Sequence, residues 1–89
     1  MRDGDHGHFP PPPTLKGFPD AVRSRAKTPR DGGGLRTRWV NRGDRTIYEW
    51  DYRHGTVEVY DKRGDHKGEA DANTGKMIKG RDPTRRIEP

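Results

Sequence analysis

The chain has 89 residues, of which 25% are hydrophobic and 37% are charged, so a single small domain with a sparse core is expected. It contains no cysteine, which excludes disulfides and thiolate metal sites, and no apolar run approaches the roughly 20 residues of a membrane span. The net charge of +5 at pH 7 favours nucleic acid, an anionic surface or an acidic protein as the partner.

Residues 1–34 are predicted to be largely irregular, because proline and glycine recur throughout them. The proline run at 10–13 favours a stiff polyproline II segment. Residues 19–23 are predicted to open one short helix, with Pro19 near its start. Pro29 would end that helix, and the glycines at 32–34 would form a flexible break before the next element.

The first residues also contain potential metal ligands, since His6 and His8 lie two apart beside Asp3 and Asp5. Imidazole and carboxylate ligands can bind Zn²⁺ or Ni²⁺. In a polar terminus before a proline run, these side chains are better explained as solvated. The sequence therefore predicts no metal centre and no cofactor.

After residue 34 the apolar pattern changes to a period of two, which is typical of β-strands. We predict strands at 35–40, 46–51, 56–61, 65–70 and 76–79, separated by turns rich in glycine, aspartate and asparagine, and a polar tail at 81–89. Strands this short and this closely spaced favour an antiparallel meander. The predicted fold class is thus mainly β, in one domain spanning residues 1–89 with the sheet at 35–80.

A hairpin loop at 52–55 would fix the register between the predicted strands at 46–51 and 56–61. Because side chains alternate between faces, such a loop places Glu49 opposite Glu58 and Asp51 opposite Thr56. The other face then carries the apolar side chains that we expect in the core: Tyr48, Trp50, Val57, Val59, Trp39 and Met77.

The face that carries Glu49, Asp51 and Glu58, here called the carboxylate face, has two interpretations. Like charges that face each other destabilise a sheet, and violations of this kind concentrate at functional sites. Alternatively, a nearby arginine such as Arg38 or Arg45 neutralises a solvated acidic face, which is common on exposed sheets. His54, in the loop between the two strands, favours the functional interpretation, although a lone loop histidine is usually just solvated. His66, in the fourth predicted strand, is expected to be packed or solvated.

The residues around this loop fit the chemistry of RNA cleavage. That reaction needs a base for the ribose 2′-hydroxyl proton, an acid for the departing 5′-oxygen, and positive charge for the transition state. Glu58 as base, His54 as acid, Asp51 to orient His54 and an arginine on the phosphate would supply every group without a metal.

The same residues carry a family resemblance. Ile-Tyr-Glu-Trp-Asp at 47–51, followed by His54-Gly55 and Glu58, resembles the catalytic core of the ribosome-inactivating colicins and cloacin. The similarity extends outward over nearly the whole chain, through residues 27–29, 32–34 and 38–39 before the core and 74–75, 79–80, 82–83 and 85 after it.

The resemblance implies a bacterial toxin endoribonuclease that cuts 16S ribosomal RNA at the decoding site of the 30S subunit and stops translation. It implies a short N-terminal helical segment followed by a highly twisted antiparallel sheet, a small α+β variant of the mainly β class. It assigns the active site to Asp51, His54, Glu58 and Arg85, with Arg86 as the alternative arginine.

The resemblance further implies an acidic immunity protein as partner. It also implies delivery from the producer as part of a larger secreted toxin, which acts in the cytoplasm of a target bacterium. The first 13 residues contain no apolar stretch of a secretory signal, so we expect another part of such a toxin to carry the domain. We expect the domain itself to be monomeric.

Further RNA contacts are predicted from charge and position. Tyr60 is expected on the carboxylate face and Tyr52 in the hairpin loop, where both could touch RNA. Phosphate contacts that weaken with salt are predicted for four arginines: Arg36, Arg38, Arg42 and Arg45. Two other functions fit the basic charge equally well, namely a non-enzymatic RNA- or ribosome-binding module and an interaction domain for an acidic protein. The carboxylates around His54 favour the enzyme, because a simple binder does not need them.

Overall fold

The computed structural model describes residues 8–89, so Asp3, Asp5 and His6, which the sequence offered as potential metal ligands but which we expect to be solvated, lie outside the described part. Six antiparallel strands form one sheet in which sequence neighbours are also spatial neighbours. The strands are β1 (Ala21–Ser24), β2 (Arg38–Asn41), β3 (Ile47–Asp51), β4 (Thr56–Tyr60), β5 (His66–Ala70) and β6 (Met77–Lys79). The prediction of a mainly β fold with an antiparallel meander is confirmed. Residues 8–89 contain no helix, and hence none long enough to cross a membrane.

The short helix predicted at residues 19–23 is wrong, because residues 19 and 20 form a turn and β1 begins at Ala21. In β1, Val22 lies opposite Val40 of β2 and Arg23 lies opposite Trp39. A helix of one turn is marginal in isolation, whereas pairing with the edge of an existing sheet satisfies the backbone at once. Tertiary pairing therefore overrides the local helix signal of Pro19.

The predicted register of the β3–β4 hairpin is confirmed at each of its pairs. Glu49 lies opposite Glu58 and Asp51 opposite Thr56, while the apolar pairs Trp50 with Val57 and Tyr48 with Val59 occupy the other face. The sheet consequently has one apolar and one acidic face.

The irregular N-terminal segment covers the apolar face and completes the core. Leu15 is buried against the sheet, and the Phe18 ring packs on Tyr48 with their centroids 4.5 Å apart. The Gly17 N–H donates to the carbonyl of Ala72 over 2.8 Å, which ties the segment to the loop after β5. A single sheet needs such a cover to bury its apolar side. Met77, which we expected in the core, is instead 46% exposed. It lies in β6, a strand at the edge of the sheet whose three residues are all exposed.

Aspartate side chains close the turns of the meander. In each hairpin loop from β2 to β6 an aspartate accepts a hydrogen bond from the backbone N–H two residues ahead, as does one in the tail: Asp44, Asp51, Asp61, Asp71 and Asp82. Because Asp51 belongs to this set, one of the predicted catalytic carboxylates also fixes the backbone of the β3–β4 loop.

Candidate active site

The structure brings the four predicted active-site residues together. Asp51, His54, Glu58 and Arg85 line one cavity of about 730 Å³ on the acidic side of the sheet. Asp51 and Glu58 come from paired strands, His54 from the loop between them, and Arg85 from the tail after β6.

Asp51 and His54 form a hydrogen-bonded pair. His54 Nδ1 lies 2.8 Å from Asp51 Oδ2, and Asp51 Oδ1 accepts the backbone N–H groups of Arg53 and His54 over 2.9 and 3.0 Å. Burial raises the pKa of Asp51, but the hydrogen bonds from His54 and the backbone outweigh it and hold this pKa below its ordinary value. Asp51 is therefore an acceptor at neutral pH, which places a proton on Nδ1 and leaves Nε2 of the half-exposed imidazole for a substrate.

Glu58 is buried, and only one of its two carboxylate oxygens has a hydrogen-bond partner among residues 8–89. Its Oε1 lies 2.8 Å from His66 Nε2 and accepts Arg85 Nη1 over 3.2 Å. Its Oε2 makes no hydrogen bond to any residue within 8–89. This oxygen is free to accept a proton from a ligand in the cavity.

His66 is a site residue whose place here was missed by sequence reasoning. The backbone N–H of Asp82 donates to its Nδ1 over 2.9 Å, so the ring proton must reside on Nε2, which donates to Glu58. A neutral imidazole in this tautomer fixes the orientation of the Glu58 carboxylate by its hydrogen bond to Oε1.

A β-bulge explains why sequence alternation did not reveal this contact. Strict alternation places His66 and Glu69 on opposite faces of β5, because they lie three residues apart. The register shifts between Val59 and Tyr60, so Glu69 pairs with Glu58 while His66 pairs with Tyr60. Both side chains therefore point to the acidic face, and both line the cavity.

The tail positions Arg85 rather than Arg86 in the cavity. Arg85 Nη1 donates to Glu58 and its Nη2 donates to the Tyr60 hydroxyl over 3.0 Å. Arg86 instead contacts the exposed Asp65 at 3.5 Å, outside the cavity. Backbone bonds on either side hold the tail, from the His66 N–H to the Arg85 carbonyl and from the Ile87 N–H to Gly64.

A family model described as Cytotoxic matches residues 9–88. The chain belongs to the colicin-type cytotoxic domains. Three bacteriocins of Escherichia coli are similar over almost all of it: cloacin is 44% identical over 98% of the chain, colicin E3 43% over 99%, and colicin-E6 40% over 99%. The chain spans only 16–17% of the length of these curated relatives.

Two predicted RNA contacts have other partners in this cytotoxic domain. Tyr60 is only 2% exposed, so its ring cannot stack on a base, and its hydroxyl positions Arg85 instead. Burial raises the pKa of Tyr60, which keeps it a neutral phenol. Tyr52 lines the cavity, but the Arg30 guanidinium lies 3.5 Å above its ring centroid, and its hydroxyl bonds to Thr37. Stacking of RNA on Tyr52 would require Arg30 to move.

Arg38 is a structural residue rather than the phosphate contact predicted from its charge. Its guanidinium is buried and donates to Glu49 Oε2 through Nε and Nη2, over 3.0 and 2.7 Å. The same Nη2 donates to the backbone carbonyl of Glu88 over 2.8 Å, so this ion pair also anchors the tail that carries Arg85.

The other three arginines that were predicted to contact phosphate lie in two different parts of the structure. Arg36 lines the cavity and donates to the Trp50 carbonyl over a long 3.4 Å, so it remains a candidate phosphate contact. Arg42 and Arg45 are exposed in the β2–β3 turn, at the opposite end of β3 from Asp51. Contacts from that turn to RNA would lie away from the cavity.

The buried ion pair makes a prediction about stability. Arg38→Ala is expected to lower the free energy of unfolding by about 3 kcal/mol, because Glu49 would keep a buried charge without its cation. Denaturant unfolding followed by circular dichroism measures the change. The matched control is Arg42→Ala, which removes the same charge from an exposed turn and should cost less than about 0.5 kcal/mol. Equal stability of the two variants would contradict the structural role of Arg38.

Three groups in the cavity have the spacing of a cation site. Asp51, His54 and Glu69 each offer one ligand atom, and these atoms lie within 4.8 Å of one another. Two carboxylates and an imidazole are chemically suitable for Zn²⁺. A cation held between Asp51 and His54 would displace the proton that joins this pair. The expectation that no metal takes part stays a prediction.

Proposed function

We propose that this cytotoxic domain is an endoribonuclease that cleaves RNA by transesterification through the ribose 2′-hydroxyl. The observation that carries the proposal is the convergence of Glu58, His54 and Arg85 on one cavity, with a Glu58 oxygen that has no partner in the described part of the chain and an imidazole oriented by Asp51. These are the base, the acid and the cation that the reaction needs.

In the proposed reaction, Glu58 Oε2 takes the proton from the 2′-hydroxyl as the 2′-oxygen attacks the adjacent phosphorus. The bond from phosphorus to the 5′-oxygen breaks, and protonated His54 gives its proton to that leaving oxygen. Arg85 stabilises the negative charge that accumulates on the phosphoryl oxygens. The products are a 2′,3′-cyclic phosphate on one fragment and a 5′-hydroxyl on the other. Glu58 ends protonated and His54 neutral, so the two exchange protons with solvent before the next turnover.

We propose 16S ribosomal RNA at the decoding site of the 30S subunit as the substrate. The support is the sequence similarity to cloacin and the colicins together with the net charge of +5, which favours a polyanion. Cleavage there would stop translation in the cytoplasm of the target bacterium. A larger secreted toxin would carry the domain, and a small acidic immunity protein would protect the producer by binding it.

The test is incubation of the purified domain with bacterial ribosomes in buffer containing EDTA. We expect one discrete fragment from the 3′ region of 16S RNA that begins with a 5′-hydroxyl, and a partner fragment that ends in a 2′,3′-cyclic phosphate. Fragments with a 5′-phosphate, or cleavage that disappears in EDTA, would contradict the mechanism. Binding to ribosomes with no cleavage would favour a non-enzymatic module, and cleavage of transfer RNA alone would contradict the proposed substrate.

A further inference from the structure

The cavity has a second group of lining residues that the proposed reaction does not use. They come from the N-terminal segment, from residues 30–36 and from the β3–β4 loop: His8, Arg30, Asp31, Arg36, Tyr52 and Arg53. This group contains three arginines and one carboxylate, whereas strands β3, β4 and β5 bring Asp51, Glu58 and Glu69 to the cavity. The cavity thus combines an acidic set of residues with a set that is basic and aromatic.

Tyr52 is held firmly in the wall of this cavity. Its hydroxyl lies 2.9 Å from Oγ1 of the buried Thr37, and its backbone carbonyl accepts the N–H of Phe9 over 2.8 Å. The His8 ring lies beside the Tyr52 ring, with centroids 5.9 Å apart and planes inclined by 29°. Because Tyr52 directly follows Asp51 in the chain, this aromatic wall adjoins the proposed reaction site.

Arg30 covers the Tyr52 ring and is fixed by a turn that requires glycine. Its Cζ lies 3.5 Å from the ring centroid, which is direct contact. The Arg30 N–H donates to the Gly34 carbonyl, and the Arg30 carbonyl accepts the Gly33 N–H, both over 3.1 Å. The φ angles of Gly32, Gly33 and Gly34 are 86°, 105° and 80°, in a region that other residues rarely adopt. The turn therefore fixes the backbone from which Arg30 reaches the ring.

A guanidinium stacked on a tyrosine is suited to binding a nucleobase. Unpaired RNA bases stack on aromatic rings and on guanidinium planes, and the attraction between the cation and the ring orders the Arg30 side chain before a ligand arrives. An ordered side chain loses little entropy on binding. The cavity of about 730 Å³ has the size of clefts that enclose a drug-sized ligand, so it can accept a base together with the phosphate.

The proposed reaction also benefits from a base held outside the RNA stack. The attacking 2′-oxygen has to lie in line with the bond from phosphorus to the 5′-oxygen, and a nucleotide in a regular helix does not have this geometry. Stacking of its base on the protein would keep such a nucleotide out of the helix and offset the cost of unstacking it.

We propose that Arg30, supported by Tyr52 and His8, forms a stacking platform for an unpaired nucleobase next to the scissile phosphate. This inference rests on the proposed ribonuclease function and adds that the substrate presents an unpaired base. Arg30 contributes a plane as well as a charge, so its share of the affinity depends on the presence of a base. The exposed Arg53 in the β3–β4 loop contributes charge alone.

The test measures the coupling between Arg30 and a base in RNA that cannot be cleaved. The probe is a short RNA of the decoding-site sequence with deoxyribose at its unpaired nucleotides, together with a series in which one unpaired nucleotide at a time lacks its base. Fluorescence anisotropy gives the Kd of each RNA. For wild type, removal of one particular base should raise the Kd about five- to twentyfold. For Arg30→Ala, the Kd of the intact RNA should rise by a similar factor, and removal of the same base should then change it by less than about twofold.

Matched variants separate stacking from charge. Arg53→Ala removes the same charge from the same cavity, so it should raise the Kd of every RNA by one common factor and keep the effect of the base. Arg30→Lys keeps the charge without the plane and should lose the effect of the base, as Arg30→Ala does. Tyr52→Phe keeps the ring and should retain the effect. A base effect that persists in Arg30→Ala, or that Arg30→Lys restores, would overturn the proposal in favour of simple attraction to phosphate.

This measurement distinguishes the stacking platform from the proposed function, because it involves no cleavage. A wild-type domain that cleaves ribosomal RNA but binds every RNA of the series equally, or binds none of them, would overturn the platform and leave the ribonuclease intact. Coupling between Arg30 and one base in a domain that cleaves no RNA would contradict the proposed function and leave the platform as a site for binding RNA.

Discussion

Glu58→Gln is expected to lower the single-turnover rate of RNA cleavage by about 10³-fold, while ribosome binding remains close to that of wild type. Glutamine has the shape of glutamate, and its amide oxygen can still accept hydrogen bonds from His66 and Arg85. The amide cannot take the 2′-hydroxyl proton, so the variant loses the base and keeps the surroundings. Rapid-quench cleavage assays and equilibrium binding to ribosomes measure the two effects separately.

Glu58→Gln is a severe test because the side chain is buried, and a folding defect would also lower the rate. The thermal unfolding temperature should therefore be measured together with the rate, with Glu88→Gln as the exposed control for the same chemical change. A folded Glu58→Gln protein that cleaves at a rate within tenfold of wild type would assign the base to another residue of the cavity. Glu69 and Asp51 would be the first candidates, because they are buried carboxylates that line it.

The central hairpin could be predicted from the sequence because its strands alternate strictly. Glu49 and Asp51 on β3 alternate with Tyr48 and Trp50, and a one-residue slip would move the tryptophan into solvent. The hairpin loop then fixes the register, so the pairing of Glu49 with Glu58 could be predicted from strand alternation and loop length alone. The position of His54 beside Asp51 also followed, because they lie three residues apart at one turn.

The parts that could not be predicted depend on long-range contacts. The bulge in β5 places His66 beside Glu58 and breaks the alternation on which the sequence argument rests. Arg85 lies in a tail without periodicity, and its place in the site followed only from the family resemblance. The buried pair of Arg38 and Glu49 was mistaken for surface charge, because a sequence pattern does not reveal that the tail covers it. β1 was mistaken for a helix because its partner β2 lies far along the chain.

Arg85→Ala is expected to lower the cleavage rate by about 10²- to 10³-fold, whereas Arg86→Ala should remain within about threefold of wild type. The two residues are adjacent and carry the same charge, but Arg85 lies on Glu58 and Tyr60 while Arg86 lies on exposed Asp65. Single-turnover rates at saturating ribosome concentration provide the comparison.

This pair of variants separates two roles of positive charge in a nuclease. Sequence-independent attraction to RNA depends on the number of cations and weakens with salt, so both variants should shift the salt dependence of binding by a similar amount. Stabilisation of the transition state depends on where the guanidinium is held, so only Arg85→Ala should lower the cleavage rate at saturating ribosome concentration. Arg85→Lys tests geometry further, because lysine keeps the charge but cannot span Glu58 and Tyr60 with a planar fork. Equal losses in Arg85→Ala and Arg86→Ala would mean that the tail serves to attract RNA, and that the cation of the reaction comes from elsewhere in the cavity, with Arg36 the first alternative.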